Sequence, residues 1–275
     1  MKAEKILFVT QEINPYVPAS TLTELGREVP LGTIEQGREI RAFMPKWGNI
    51  NERRNQLHEV IRLSGMNLII DDTDHPLLIK VASITGTRMQ VYFIDNEDFF
   101  GKRLQEAGED GIEYTDNVER AVFYARGVLE TVKKLRWTPD VIHCQGWISG
   151  ILPVYLKTAY ADEPCFRDCR VVYTVTDNQL TRSTGPRMAN ILEFRNAGQE
   201  SIAEFGEDLS TKQLEMLAIK YADGVSFHTP TPDADLLAYA QQAGKPILTE
   251  SKAEAESYVP FFDQVWGLGK TENND

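Results

Sequence analysis

Glycine is missing from the place where it would say most. The stretch Gln11 to Thr21, which follows the first apolar run, holds no glycine and two prolines, Pro15 and Pro18. A loop that wraps a phosphate uses glycines to bring backbone N–H groups close to the ligand, and proline has no N–H to offer. The segment therefore reads as a plain helix entry with Ser20 or Thr21 as N-cap. Cysteine is scarce, with only Cys144, Cys165 and Cys169. An odd, sparse count reads as reduced thiols, so the expected location is cytoplasmic. Cys165-x3-Cys169 near His143 has no second close pair to complete a thiolate zinc site, and no metal is expected. No run approaches the ~20 apolar residues of a membrane span, and Ile6-Leu7-Phe8-Val9 is too short for a secretion signal. Positive charge is also in deficit: 29 Lys and Arg face 41 Asp and Glu, a net charge of -12. That balance argues against nucleic acid and against an anionic membrane, both of which need clustered cations. A neutral carbohydrate or a protein partner remains compatible.

What is present is an alternation of strand-like and helical periods, the pattern of a sheet covered by helices. Lys5 to Thr10 is a short continuous apolar run, as in a central parallel strand. A helix follows over Thr21 to Gln36, ended by Gly37, and then a strand over Glu39 to Met44. Leu57–Leu63, Leu68–Ile70, Leu77–Ser83 and Met89–Ile94 read as four short antiparallel strands punctuated by turn residues. Thr115-Asp116-Asn117 caps a helix over Val118 to Leu135. Pro139-Asp140 introduces a buried strand ending at His143, and Trp147 opens a helix that is apolar on nearly every face. Further strands are Arg170–Thr174, Gly224–Phe227 and Pro246–Leu248. A helix starting within Thr229 to Asp233, with Thr231 as N-cap, runs through Ala240. Thr181 to Gly206 is polar and irregular, the expected flexible insertion. The fold class is α/β, a Rossmann-like, doubly wound, mostly parallel sheet with helices on both faces, and residues 1–275 read as one domain.

Ligands of such sheets collect beyond the carboxyl ends of the strands. Three strand ends supply polar groups there: His143 with Gln145, Thr176-Asp177-Asn178, and His228. His143 faces either the crevice or the core. With Glu12, Tyr16, Ser20, Thr21 and Trp147 these residues make up the candidate cleft. None of them forms a triad or a carboxylate pair. The polar run Asn51 to His58 is either a ligand patch or a solvated turn with internal ion pairs. Asp71-Asp72-x-Asp74-His75 lacks calcium-loop spacing and reads as an exposed turn.

Four landmarks in order resemble the N-terminal half of bacterial glycogen and starch synthases, which are GT-B glycosyltransferases. They are Gln11-Glu12-Ile13-x-Pro15, Gly37-Arg-Glu-Ile-Arg-x-Phe-Met-Pro45, Pro139-Asp-Val-Ile-His143 with Trp147 and Pro153-x-Tyr155-Leu156, and Tyr221-Ala-Asp-Gly-Val225 before Thr229-Pro230. The resemblance implies ADP-glucose as donor, glycogen or another α-glucan as acceptor, and no further cofactor. It also marks departures. The family's Lys-x-Gly-Gly-Leu falls on Pro18-Ala19-Ser20-Thr21-Leu22, and its Ser-Glu-Val-x-Pro places a serine at Gln11. Its His-Asp-Trp-His falls on Gln145-Gly146-Trp147-Ile148, so Gly146 and Ile148 stand where acid and histidine are expected. Its Thr-Ile-His-Asn falls on Thr174-Val175-Thr176-Asp177. The second Rossmann half of the family is not represented in these landmarks. The expectation is a relative of the glucosyltransferases that is inactive by itself. The alternative is a glucan-binding or regulatory subunit that needs a partner to supply the missing half. Tyr92, Phe93, Phe99 and Phe100 are the aromatics a glucan surface would use, although Tyr92 and Phe93 also fit a strand core.

Overall fold

The computed structural model describes residues 1–250 and 252–269; Thr271–Asp275, whose polar sequence reads as a frayed end, lie outside the described residues. The strands are β1 (Lys5–Thr10), β2 (Glu39–Pro45), β3 (His58–Glu59), β4 (Met66–Ile70), β5 (Thr73–Ser83), β6 (Gln90–Asp95), β7 (Val141–Gln145), β8 (Arg170–Thr176), β9 (Gly224–His228) and β10 (Ile247–Thr249). The helices are α1 (Thr21–Glu35), α2 (Asn117–Leu135), α3 (Leu152–Lys157), α4 (Met188–Leu192), α5 (Gln199–Ile202), α6 (Thr211–Tyr221), α7 (Ala234–Gln242) and α8 (Ala255–Trp266).

The sheet order is β10-β9-β8-β7-β1-β2-β6-β5-β3, with β4 pairing β5 off this path. The chain leaves β1 toward β2 and β6, then returns to β7 on the other side and continues outward to β10. The loops after β1 and β7 therefore diverge, which opens a crevice at their carboxyl ends. Pairing is parallel from β10 through to β6. Among the ten strands, antiparallel pairing is confined to the contacts of β5 with β3, β4 and β6. The mostly parallel, doubly wound sheet is as expected. The 57–94 region differs in detail. β6 joins the main sheet, because its second edge pairs parallel to β2. The Leu57–Leu63 segment keeps only the two-residue β3, because Val60 O accepts from the N–H groups of Leu63 and Ser64 and turns the chain.

Side chains along β7 alternate between faces. His143 points toward α8, whose Tyr258 and Phe262 rings lie 5.3 and 5.0 Å from its own. The other face of the sheet carries α2 and α6. Tyr124 of α2 donates to Thr10 O at 2.8 Å, and Tyr173 of β8 donates to Glu215 of α6 at 2.8 Å. Asp263 of α8 accepts from Ala3 N at 2.7 Å and from Arg38 Nη2 at 2.8 Å, joining α8 to the residues that lead into β1 and β2.

Local chemistry accounts for most element ends. Ser20 caps α1 by accepting from Thr23 N, while Thr23 Oγ1 accepts from Ser20 N at 2.7 Å. Asp116 occupies the cap position of α2 without capping it, because its carboxylate is held by the Arg103 guanidinium. The cap of α7 is Asp233, not Thr231: its carboxylate accepts from Asp235 N and Leu236 N at 2.9 and 3.1 Å. The helix expected at Trp147 is a 3-10 turn over Trp147–Ser149, and α3 starts at Leu152 with Pro153 in its first turn. The expected insertion at 181–206 contains α4 and α5 and packs inward. Met188, Ile191, Leu192 and Ile202 are buried, and Tyr155 and Tyr221 donate to Leu192 O and Ser201 O.

Glu215 is fully buried, which pushes its carboxyl from 4.5 to about 7 against the opposing pull of the Tyr173 hydroxyl. A carboxyl that holds its proton more tightly when folded stabilises the protein below its unfolded value and loses that contribution as pH rises through the folded value. Glu215 should therefore cost roughly 3 kcal/mol between about pH 4.5 and about pH 7. Melting temperatures across this range should fall with rising pH, and Glu215→Gln should flatten the fall. An unchanged slope in the variant overturns the assignment.

Candidate functional site

At the point where the strand order reverses, Gln11 N donates to Gln145 O at 3.1 Å, so the residues leaving β1 and β7 touch. Gly146 follows with φ 81 and ψ 163, a region open essentially to glycine. A Cβ at this position would stand 2.6 Å from Gln11 Oε1 and 2.8 Å from Gln11 Cβ. The Gln11 side chain thus fills the space into which a side chain at 146 would grow. Gln11 Nε2 and Oε1, Gln145 Oε1 and Trp147 Nε1 are all buried without a hydrogen-bond partner among the described residues. Unpaired buried polar atoms are rare, and their concentration marks this corner of the sheet.

Beside it lies an open crevice of about 460 Å³. Its walls are Glu12, Pro18, Ala19 and Ser20 from the β1–α1 loop, Asn49, the segment 104–108, and Asn178 after β8. Burial, and then the Glu106 charge, push the Glu12 carboxyl up to about 7; the Gln105, Ser20 and Gln11 side chains pull the other way. Ser20 Oγ donates to Glu12 Oε2 at 3.4 Å, whereas the Gln11 amide comes near without a hydrogen bond of normal geometry. Among the described residues lining this crevice there is no Lys, Arg or His.

The segment 104–108 was not legible as part of a site. It is held by Arg120 of α2, which is fully buried. The Arg120 guanidinium donates to Phe99 O at 3.0 Å, Leu104 O at 2.6 Å and also Gln105 O. The Trp47 and Tyr114 rings lie 5.1 and 4.9 Å from it. Besides Asn117 Oδ1 at 2.8 Å, its partners are backbone carbonyls 15 to 21 residues upstream, so no residue pattern signals its hold on this segment. Glu113 ties this segment to the loop after β8 by accepting from Thr181 N at 2.7 Å and Arg182 N at 3.0 Å.

Of the expected cleft residues, Glu12, Ser20 and Asn178 line the crevice. His143 is a core residue. Its Nε2 lies 2.6 Å from Thr174 Oγ1 and its Nδ1 lies 3.2 Å from Gln145 Nε2. An amide nitrogen can only donate, so Nδ1 accepts and the Nε2–H tautomer follows. Burial, with a smaller contribution from His228, pushes this imidazole down to about 3. Thr174 Oγ1 lies 2.5 Å from Ser226 Oγ, extending the polar row across three strands. Thr176 and His228 are paired in register and buried, with Tyr258 OH 3.4 Å from His228 Nδ1. Thr21 and Asp177 are exposed, while Trp147 and Ile148 are buried. Tyr16 lines a different pocket, on the other side of the same loop. The expected surface aromatics are also core: Tyr92, Phe93, Phe99 and Phe100 are all buried, with Tyr92 stacked on Phe43 at 5.0 Å.

Gly146→Ala should destabilise the protein by about 3 kcal/mol, combining backbone strain with overpacking against Gln11. Adding Gln11→Ala should recover only the overpacking share, as read by denaturant titration. A neutral Gly146→Ala variant contradicts the geometry.

The chain matches the family model for the starch synthase catalytic domain over residues 5–244. A glycogen synthase from Pelodictyon phaeoclathratiforme is 32% identical over 267 residues, covering 97% of this chain and 49% of that protein. One from Chlorobium luteolum is 36% identical over 266 residues, covering 96% and 49%. The chain thus spans about half the length of these curated relatives. The catalytic domain of starch synthase IV from Arabidopsis thaliana, solved with ADP and acarbose bound, matches with a TM-score of 0.71 at 16% identity, over 91% of this chain and 51% of that one. That likeness shows the shared GT-B type of Rossmann-like fold. With the family match running through nearly every strand of the sheet, the chain belongs to the starch synthase catalytic domain family, and glycogen synthases are its relatives.

Proposed function

We propose that this chain binds an α-glucan in the crevice between β1 and β8 and transfers no glucose by itself. The observation that carries this reading is the chemistry of the crevice wall. It offers two carboxyls, Glu12 and Glu106, the amides of Gln105 and Asn178 and the Ser20 hydroxyl, with no cation beside them among the described residues. Such groups suit the hydroxyls of a neutral sugar, which both donate and accept. A nucleotide sugar carries a pyrophosphate, which calls for cations or glycine-lined N–H groups, and Pro18-Ala19-Ser20 provides neither.

The reactive groups point the same way. His143 has both ring nitrogens engaged and is held neutral by burial, so it has no role as a proton carrier. Gly146 and Ile148 have no ionisable side chain. Glu12, its carboxyl raised to about 7 by burial, suits the positioning of a sugar hydroxyl. A second reading gives the chain activity within a complex: a protein partner would contribute the cations that the crevice lacks. The match to the starch synthase catalytic domain over residues 5–244 supports that reading.

Incubation with radiolabelled ADP-glucose and glycogen should incorporate no label above a protein-free blank, and ADP should produce no thermal upshift. Label incorporated by the purified chain sinks the inactive reading. In native gels containing glycogen the protein should be retarded. Glu12→Gln and Asn178→Ala should each weaken retention about fivefold, the effect of losing one hydrogen bond of ~1 kcal/mol. Unretarded migration of the wild type overturns glucan binding.

A further inference from the structure

The loop from Gln11 to Ser20 has a second concave side. There Pro15 and Tyr16, the 54–58 turn, the end of β5 and Gln90 of β6 enclose a pocket of about 320 Å³. The volume lies at the small end of ligand sites and suits a single monosaccharide-sized molecule.

This pocket is built rather than incidental. Asn51 Oδ1 accepts from Arg54 N at 2.8 Å and Asn51 O accepts from Asn55 N at 3.1 Å, closing the turn. Glu52 anchors it to the sheet through Lys46 and Lys80, at 3.1 and 2.7 Å. β3 sets His58 opposite Val81, and β6 sets Gln90 opposite Ser83. Tyr16 is 6% exposed and meets Phe93 edge-on at 4.9 Å. Its hydroxyl is buried without a partner among the described residues.

The charge of this wall is the reverse of the chain as a whole. Asp and Glu make up 41 of 275 residues, yet none of the twelve residues lining the pocket is acidic. Arg54 and His58 are there instead, and among the described residues Arg54 has no ion-pair partner. The same pocket is lined by neutral donors: the Tyr16, Ser83 and Thr85 hydroxyls and the Gln90 amide. A guanidinium with several neutral donors fits a phosphate, whose oxygens accept more bonds than a carboxylate can. Amides and hydroxyls left over suit ligand hydroxyls.

We propose that the pocket formed by Tyr16, Arg54, His58, Ser83 and Gln90 is a binding site for a phosphate monoester of a small polyol, of the sugar-phosphate class. It is separate from the glucan crevice, and the site stands whether or not that crevice binds glucan.

Isothermal titration of the full chain with glucose 6-phosphate tests it, with glucose and inorganic phosphate as separate arms. Glucose 6-phosphate should bind saturably with one site per chain, and glucose should bind at least tenfold more weakly. Inorganic phosphate should compete for the same site. Arg54→Ala should weaken binding roughly tenfold or more, the effect of losing a charge-assisted contact. Tyr16→Phe keeps the ring against Phe93 and removes only the hydroxyl, so it should weaken binding severalfold with an unchanged melting temperature. Arg53→Ala removes the same charge from a neighbour outside the pocket and should leave affinity intact. Absence of saturable heat, glucose binding as tightly as its phosphate, or equal losses in the Arg53 and Arg54 variants each overturn the site.

Discussion

The contact between Gln11 and Gly146 is the constraint on which the character of the crevice depends. β1 and β7 are neighbours, and the hydrogen bond from Gln11 N to Gln145 O leaves no slack between the residues that follow them. Volume is therefore shared: whatever one position gains, the other must give up. The family pattern has a serine and an aspartate at these two positions, whereas this chain has a glutamine and a glycine. The exchange conserves bulk while replacing an ionisable group by an amide, the kind of swap that packed interiors tolerate best. Gly146 and Gln11 thus form one packed pair, in which the Gln11 side chain occupies the space that a side chain at 146 would need.

Electrostatics then divides one loop into two surfaces. Glu12 and Ser20 face the crevice, where carboxyls gather without cations; Tyr16, between them in sequence, faces a pocket with Arg54 and His58 and no carboxyl. Pro15 and Pro18 fix the backbone between these faces and limit how far either can adjust. The lack of glycine from Gln11 to Thr21 therefore has two consequences. It closes off the usual backbone route to a phosphate at the start of α1, and it leaves anion recognition to side chains on the opposite side.

Periodicity was enough to read the architecture. The apolar runs at β1, β7 and β8 and the helical stretches at α1 and α2 fall where their spacing placed them, because central parallel strands and amphipathic helices write their burial into local sequence. The crevice was legible only where it is local: Glu12 and Ser20 lie on a loop whose position follows from β1 and α1. The segment 104–108 was not, since Arg120 holds it through backbone carbonyls that carry no residue signature. His143 illustrates a different limit. A strand end has two faces, and only the approach of Tyr258 and Phe262, more than a hundred residues later, shows that its ring faces the core.

That late approach has a bearing on time. α8 covers the polar row of His143, Thr174 and Ser226, and its Asp263 grips Ala3 and Arg38 across more than two hundred residues of chain. During synthesis, β1, β7, β8 and β9 all leave the ribosome before the helix that seals them. Contacts so distant in sequence close slowly, because the loop entropy must be overcome before they form. Until then one face of the sheet stays open, with its histidine and hydroxyls in water, and sheet faces exposed in this way invite non-native association. Completion of this sheet waits on α8: His143, Thr174 and Ser226 reach their native surroundings only when that helix arrives.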